Sequence, residues 1–207
     1  AMPEIVARNP RALYVVLGAT HPQAIAWHGE SYRESLTTLA AELGVADHVR
    51  FINAFVEQEE LLDYLAAADI YVTPYLNPAQ VTSGTLSYAV GLGKPIVSTP
   101  FIHAVELLGR EFGRLVGFGD SAGFAAAINA LMTDRAGTRA LRKRVYALGR
   151  TMIWPRLAEA SLERFEEIAA RAFAASVRRR PSASAANISS RKSFIDKAKS
   201  RRGKAAA

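Results

Sequence analysis

The sequence contains no cysteine. This absence excludes disulfide bonds, zinc sites with thiolate ligands and cysteine nucleophiles, and it fits a reducing compartment such as the cytoplasm. The first residues also lack the layout of a signal peptide, in which positive charge precedes an apolar stretch. We therefore expect a cytoplasmic protein, whose 207 residues are enough to bury a sizeable core.

Charge is absent from residues 70–93. An uncharged stretch of this length could suggest a membrane span. Pro74, Asn77 and Pro78 make it a poor one, as do its glycines. Buried strands with a ligand-binding loop between them explain this composition better.

The net charge of +7 belongs to the C-terminal end of the chain. Residues 178–207 hold ten of the 26 basic residues and one of the 19 acidic ones, so residues 1–177 are slightly acidic. We predict one domain over 1–176 and a disordered basic tail over 177–207, because the tail has few large apolar residues. The tail is either a solvated extension or a weak, peripheral contact for an anionic membrane surface or nucleic acid.

The stretch from 69 to 100 has the pattern of a strand–helix–strand unit of a parallel sheet. A β-branched run at 70–73 precedes a polar loop, and Ser83-Gly84-Thr85 then begins a run with helical spacing that leads to a second strand at 95–98. A glycine at a helix start lets a ligand approach the backbone, and the free N–H groups there attract phosphate. The alternative is that Ser83 only caps the helix and Gly84 only packs.

Strands, the first a buried one at 12–17, alternate with helices as far as Val116, and only helices follow, at 121–133, 138–149 and 155–176. This order predicts an α/β fold, a doubly wound, Rossmann-like parallel sheet with a helical C-terminal end piece. Ligands of such sheets bind beyond the carboxyl ends of the strands. The loops at 18–22, 54–57 and 75–85 lie at such ends, and they supply Thr20, His21, the backbone of Phe55 and Val56, Asn77, Gln80, Ser83 and Thr85.

Two further motifs have simpler explanations. Residues 117–122 match the dinucleotide fingerprint G-x-G-x-x-A, but the second strand and the acid that should follow are missing, so we predict a turn with Asp120 or Ser121 as helix cap. His103 and Glu106 share one helix face, yet no third ligand is evident nearby. We expect a site-lining or capping pair rather than a metal site, and the sequence identifies no catalytic residue.

Several segments together resemble the C-terminal, donor-binding half of GT-B glycosyltransferases of the retaining group 1 type. The resemblance covers about residues 1–176. It implies a two-domain enzyme that moves a sugar from a nucleotide-sugar donor to an acceptor without a metal or other cofactor. The segments are LYVVLGATHP (13–22), LGVADHVRFINAFVEQEELLDYLAAADIYVTPY (43–75), SGTLSYAVGLGKPIVSTP (83–100) and ELLGREFGRLVGFGD (106–120).

The resemblance also implies roles for individual residues. The helix at 155–173 would contact the other domain of the enzyme. The remaining roles fall on the loops at the strand ends: Ser83, Gly84 and Thr85 would bind the donor diphosphate, Gln80 the donor sugar, Tyr88 the ribose, and Phe55 and Val56 the base, while Thr20 and His21 would line the cleft.

The chain departs from the family pattern at two positions. Gln80 and Tyr88 stand where the family usually has a pair of glutamates. These changes favour an alternative, a non-catalytic pseudo-glycosyltransferase that binds a nucleotide or a partner protein. We also expect an acceptor-binding domain, the first strand of the sheet and a basic diphosphate clamp ahead of residue 1, and therefore no catalysis by this chain alone.

Overall fold

A computed structural model describes residues 1–179, with side chains up to residue 175. The helices and strands alternate along the first part of the chain. In order they are α1 (Met2–Arg8), β1 (Tyr14–Leu17), α2 (Pro22–His28), α3 (Ser31–Glu42), a short 3-10 turn (Ala46–His48), β2 (Val49–Ile52), α4 (Gln58–Ala67), β3 (Tyr71–Thr73), α5 (Gly84–Gly91), β4 (Ile96–Ser98), α6 (Ile102–Leu108), β5 (Arg114–Leu115), α7 (Ser121–Thr133), α8 (Arg135–Thr151) and α9 (Trp154–Arg179).

The strands are all parallel and form two sheets, β1-β2 and β3-β4-β5. Each parallel connection passes through at least one helix, as the alternating sequence pattern predicts. The fold is α/β and Rossmann-like, which confirms the predicted fold class.

The division into two sheets has a simple relation to the doubly wound order 3-2-1-4-5-6. In that order the first strand lies between the second and the fourth. If β1 to β5 take the second to sixth places, the first place lies between β1 and β3, and no described strand fills it.

The core lies on the three-stranded sheet. Leu86, Val97, Phe101 and Val145 are fully buried there, and they come from α5, β4, the start of α6 and α8. The other sheet is thinly covered, and Val15 of β1 is 40% exposed. The expectation of a buried strand at 12–17 was therefore wrong in its burial, although β1 forms within that range.

Some element boundaries differ from the sequence prediction. The chain forms α2 directly after the loop predicted at 18–22, in a stretch for which no element was predicted, because Pro22 stands in the first turn and His21 caps it. Helix α8 begins at Arg135 rather than at residue 138, since the side chain of Asp134 accepts a hydrogen bond from Gly137 N–H at 2.8 Å.

Contacts divide the chain into two compact units, Ala1–Ile153 and the segment from Trp154 onward. In the second unit, α9 carries the ion pairs Arg156–Glu159 and Arg164–Glu167 and exposes large apolar side chains. The basic tail predicted over 177–207 lies almost wholly outside the described residues. Within those residues, no helix has the length and apolar character needed to cross a bilayer.

Candidate functional site

The loop from residue 74 to Ser83, which follows β3, is held by neighbouring elements at several points. Carbonyl oxygens of Pro78 and Gln80 accept hydrogen bonds from the N–H groups of Ile102 and His103, at 3.1 and 3.2 Å. Those donors belong to the first turn of α6, where N–H groups have no partner within the helix. The loop thus satisfies the start of α6 and is fixed against it.

Helix α5 begins directly after this loop, and Ser83 is its N-cap. The Ser83 hydroxyl accepts from Leu86 N–H at 3.3 Å, and Ser83 N–H donates to Nδ1 of His103 at 2.9 Å. Because Nδ1 is the acceptor, the neutral ring carries its proton on Nε2. Ser83 is only 5% exposed, so both of its polar groups are engaged inside the protein.

The next two residues present the open end of the helix. Gly84 is exposed, and a Cβ built on it meets nothing within 4 Å. The hydroxyl of Thr85 lies 2.7 Å from the hydroxyl of Tyr71, and burial raises the pKa of that tyrosine above its usual range. Among the described residues no acceptor is found for the N–H groups of Gly84 and Thr85. This end of α5 therefore offers two amide donors and a positive dipole end to an incoming anion.

Gln80 and Tyr88, the two departures from the family pattern, have different surroundings. The Gln80 amide donates to Thr82 O at 2.6 Å, so it folds back on its own loop. Tyr88 lies one turn after Gly84 on α5 and packs partly against the core. A ligand that engages Gln80 has to compete with that internal hydrogen bond.

A network of polar side chains joins the carboxyl ends of β1 and β2. The Thr20 hydroxyl donates to Glu30 Oε2 at 2.7 Å, and Arg33 donates to Glu30, Thr20, Gly18 O and Asn53 Oδ1 at 3.0 to 3.1 Å. Hydrogen bonds from Thr20 and Arg33 hold the pKa of Glu30 below its ordinary value of 4.5. The network fixes the loop after β1 to the start of α3.

The remaining predicted site residues are placed simply. Phe55 is 87% exposed in the loop after β2, and Val56 beside it is half-buried. His21 caps α2 by accepting from Gln23 N–H through Nδ1 at 3.2 Å. Asp120 caps α7 through its contact with Gly123 N–H at 2.7 Å, as predicted for the motif at 117–122.

Hydrogen bonds of Arg33 connect Thr20 to Asn53, which follows β2. Ser83 is bonded to His103 of α6, the helix that follows β4. Sequence reasoning found His103 as a capping or site-lining residue, and it caps α5 from outside. It missed Glu30, Arg33 and Asn53, because residues far apart in sequence meet only through the parallel strand ends. No group of three His, Cys, Asp or Glu side chains in the described part of the chain could hold a metal ion.

These features define a class of protein: a parallel α/β domain that gathers polar groups and an open helix start beyond the carboxyl ends of its strands. Comparison with known proteins identifies the family. Residues 1–134 match the model for "Glycosyl transferases group 1", so the chain belongs to this family.

A curated relative and two solved structures are similar to the chain. The lipopolysaccharide core biosynthesis glycosyltransferase LpsE of Rhizobium meliloti (strain 1021) is 31% identical over 134 residues, which are 64% of this chain and 35% of LpsE. The C-terminal domain of a group 1 glycosyl transferase (LpcC) from Francisella tularensis superposes with a TM-score of 0.62 at 19% identity, over 72% of this chain and 76% of that one. Anabaena Alr3699/HepE, solved in complex with UDP, gives 0.63 at 20% identity, over 77% and 44%. The chain thus spans about a third of the length of its curated relative, and the matches confirm a C-terminal GT-B domain.

Proposed function

We propose that residues 1–153 bind the diphosphate of a nucleotide-sugar donor so that its glycosyl group can pass to an acceptor. The observation that carries the proposal is the open start of α5, where the N–H groups of Gly84 and Thr85 have no acceptor among the described residues and a Cβ on Gly84 would meet nothing within 4 Å. Negative charge grows on the diphosphate as the sugar leaves. Helix amides that are already oriented stabilise that charge without reorganisation.

The other predicted residues receive roles in the same proposal. Ser83 caps the start of α5 with its hydroxyl, and His103 fixes Ser83 by accepting a hydrogen bond from its N–H group. The exposed ring of Phe55, with Val56, meets the base, and Tyr88 faces the ribose. Thr20 and His21 line the cleft, and Gln80 contacts the sugar after releasing Thr82. The UDP complex of the similar HepE protein supports a nucleotide-sugar partner.

Titration with UDP and GDP tests the site. Gly84→Val puts a branched side chain into the open space and should weaken binding of the preferred nucleotide about tenfold or more, because it blocks approach to the amides. Gly91→Val is the matched control, since a Cβ at this other end of α5 also meets nothing within 4 Å. Equal binding by the wild type and Gly84→Val would contradict the proposal.

A binding-only protein is the second candidate. The hydrogen bond from Gln80 to Thr82 O favours it, because the side chain that stands at a usual glutamate position is already engaged. A sugar-transfer assay on the chain joined to an acceptor-binding domain separates the two. Turnover with one donor of a panel supports transfer, whereas nucleotide binding without any turnover supports the binding-only protein.

A further inference from the structure

A second cleft lies at the opposite edge of the sheet from the start of α5. It has a volume of about 950 Å³, and its lining includes Ile70, the residue before β3, and Gly93, which lies in the turn before β4. It therefore opens at the amino ends of these parallel strands, whereas the loop before α5 lies at their carboxyl ends. Nothing in the proposed donor site uses this cleft.

Basic side chains dominate its walls. Arg135, Arg139 and Arg142 follow one another at helical spacing along one face of α8. Lys143 extends this wall, Arg8 and Arg11 come from the chain between α1 and β1, and Asp69 is the only acidic side chain in the lining. All six basic residues are exposed, and none takes part in the ion pairs found in the described part of the chain.

Tight packing fixes the α8 wall. A Cβ on Gly93 would lie 2.8 Å from Cβ of Tyr146, and one on Gly149 would lie 2.7 Å from Val90 O. Helix α8 thus rests directly on the end of α5 and on the turn before β4. The arginines project from a backbone that cannot move back without losing this contact.

The facing wall is fixed by a buried amide. Asn9, which lies between Arg8 and Arg11, donates to Oδ1 of Asn129 at 2.7 Å, and Asn129 is buried in α7. Asn129 donates in turn to Glu4 O at 3.2 Å. The segment that carries Arg8 and Arg11 is therefore fixed to α7, which leads through Asp134 directly into α8.

Lys94, which follows Gly93 of the cleft lining, is influenced by the charge of Arg142. It is 3% exposed and donates to Ala66 O and Ala68 O at 2.6 and 2.7 Å. Burial lowers its pKa, the positive charge of Arg142 lowers it further, and Asp69 opposes both. Like charges gathered in this way destabilise a fold unless an anion compensates them.

We propose that this cleft is a binding site for a multiply charged phosphate ligand, carried either by a free molecule or by an anionic lipid headgroup. Guanidinium groups form paired hydrogen bonds with phosphate oxygens, and five of the six basic residues are arginines. Walls from two parts of the chain can bind separate phosphates of one ligand.

Calorimetric titration of the full chain with inorganic tripolyphosphate tests the proposal. The triple variant Arg135→Gln, Arg139→Gln, Arg142→Gln should weaken binding about tenfold or more, because paired contacts to phosphate are lost. The double variant Arg8→Gln, Arg11→Gln should weaken it from the facing wall. The matched control Arg50→Gln, Arg110→Gln, Arg144→Gln removes the same charge outside the cleft and should change affinity less than about twofold.

Vesicles then distinguish the two sources of phosphate. If the wild type, but not the cleft variants, sediments with phosphatidylglycerol vesicles and not with phosphatidylcholine vesicles, the ligand is a lipid headgroup. If the chain binds tripolyphosphate but does not sediment with either kind of vesicle, the ligand is a free molecule. Equal losses in the cleft and control variants would overturn the proposal, as would no binding to either probe. Cleft-dependent binding of duplex RNA without tripolyphosphate binding would replace it with a nucleic-acid site.

The start of α5 can also accept phosphate, so it is the loss of tripolyphosphate binding in the cleft variants, and not binding by itself, that tests the cleft. The cleft variants should bind UDP or GDP like the wild type, and Gly84→Val should bind tripolyphosphate at the cleft like the wild type. Failure of one site therefore leaves the other intact.

Discussion

At the residue scale, the hydrogen bond from Ser83 N–H to His103 Nδ1 links the start of α5 to α6. The imidazole accepts through a defined nitrogen, so its orientation and tautomer are set by the backbone of the other helix. The contact occupies the amide of the N-cap residue, whereas those of Gly84 and Thr85 have no acceptor among the described residues. His103 is in this sense a positioning residue.

Replacing His103 tests this role. His103→Ala should lower the free energy of unfolding by about 1 to 3 kcal/mol, because Ser83 N–H loses its acceptor in a mostly buried place. His103→Asn is the matched control, since its side-chain oxygen can occupy nearly the place of Nδ1. Chemical denaturation measures the stability, and nucleotide titration should show weaker binding for the alanine variant only. Equal behaviour of the two variants would remove the positioning role.

At the scale of the elements, the network of Thr20, Glu30, Arg33 and Asn53 ties β1, α3 and β2 together at the sheet edge. Glu30 accepts hydrogen bonds in its charged form, and its folded-state pKa is lowered. A lowered carboxyl pKa contributes stability above the unfolded-state value, and that contribution is lost as the pH falls through the folded-state value.

The pH dependence of stability should therefore depend on Glu30. The wild type should be more stable than Glu30→Gln at pH 7, and the difference should shrink as the pH falls below 4.5. Denaturation at a series of pH values measures it. Glu34→Gln on the same helix, an exposed acid without a resolved partner among the described contacts, serves as the control. A difference that stays constant down to acid pH would show that the charge of Glu30 is not what stabilises the network.

Elements of this kind also show what the sequence could predict. The βαβ unit around Ser83 followed from local signals, namely a β-branched run, a cap and glycines, and the structure has it at nearly the predicted residues. The burial of Lys94 could not be predicted, because tertiary packing brings the carbonyl groups of Ala66 and Ala68 to its ammonium group. The burial of β1 was predicted wrongly for a related reason: an apolar run reports strand formation, but neighbouring strands decide what covers it.

At the scale of the whole molecule, charge is separated within the described chain. Residues 30–69 contain nine acidic and two basic side chains, whereas residues 135–150 contain six basic side chains and no acidic one. A nearly neutral sum over residues 1–177 hides this polarity, since composition does not report which helix face holds the charge. The cleft beside α8 was therefore out of reach of composition alone, although the spacing of its arginines is visible in the sequence.

The unfilled strand place between β1 and β3 has a consequence for handling the chain. Edge strands without a described neighbour expose rows of N–H and C=O groups, and Leu13 and Val15 beside them are 59% and 40% exposed. At rising concentration such edges recruit strands from other copies, so sedimentation should show growing self-association. Val15→Lys places a charge at the edge and should suppress it, and a wild type that stays monomeric at every concentration would show the edge is protected. A peptide that pairs with either edge would cover these N–H and C=O groups and should oppose the self-association.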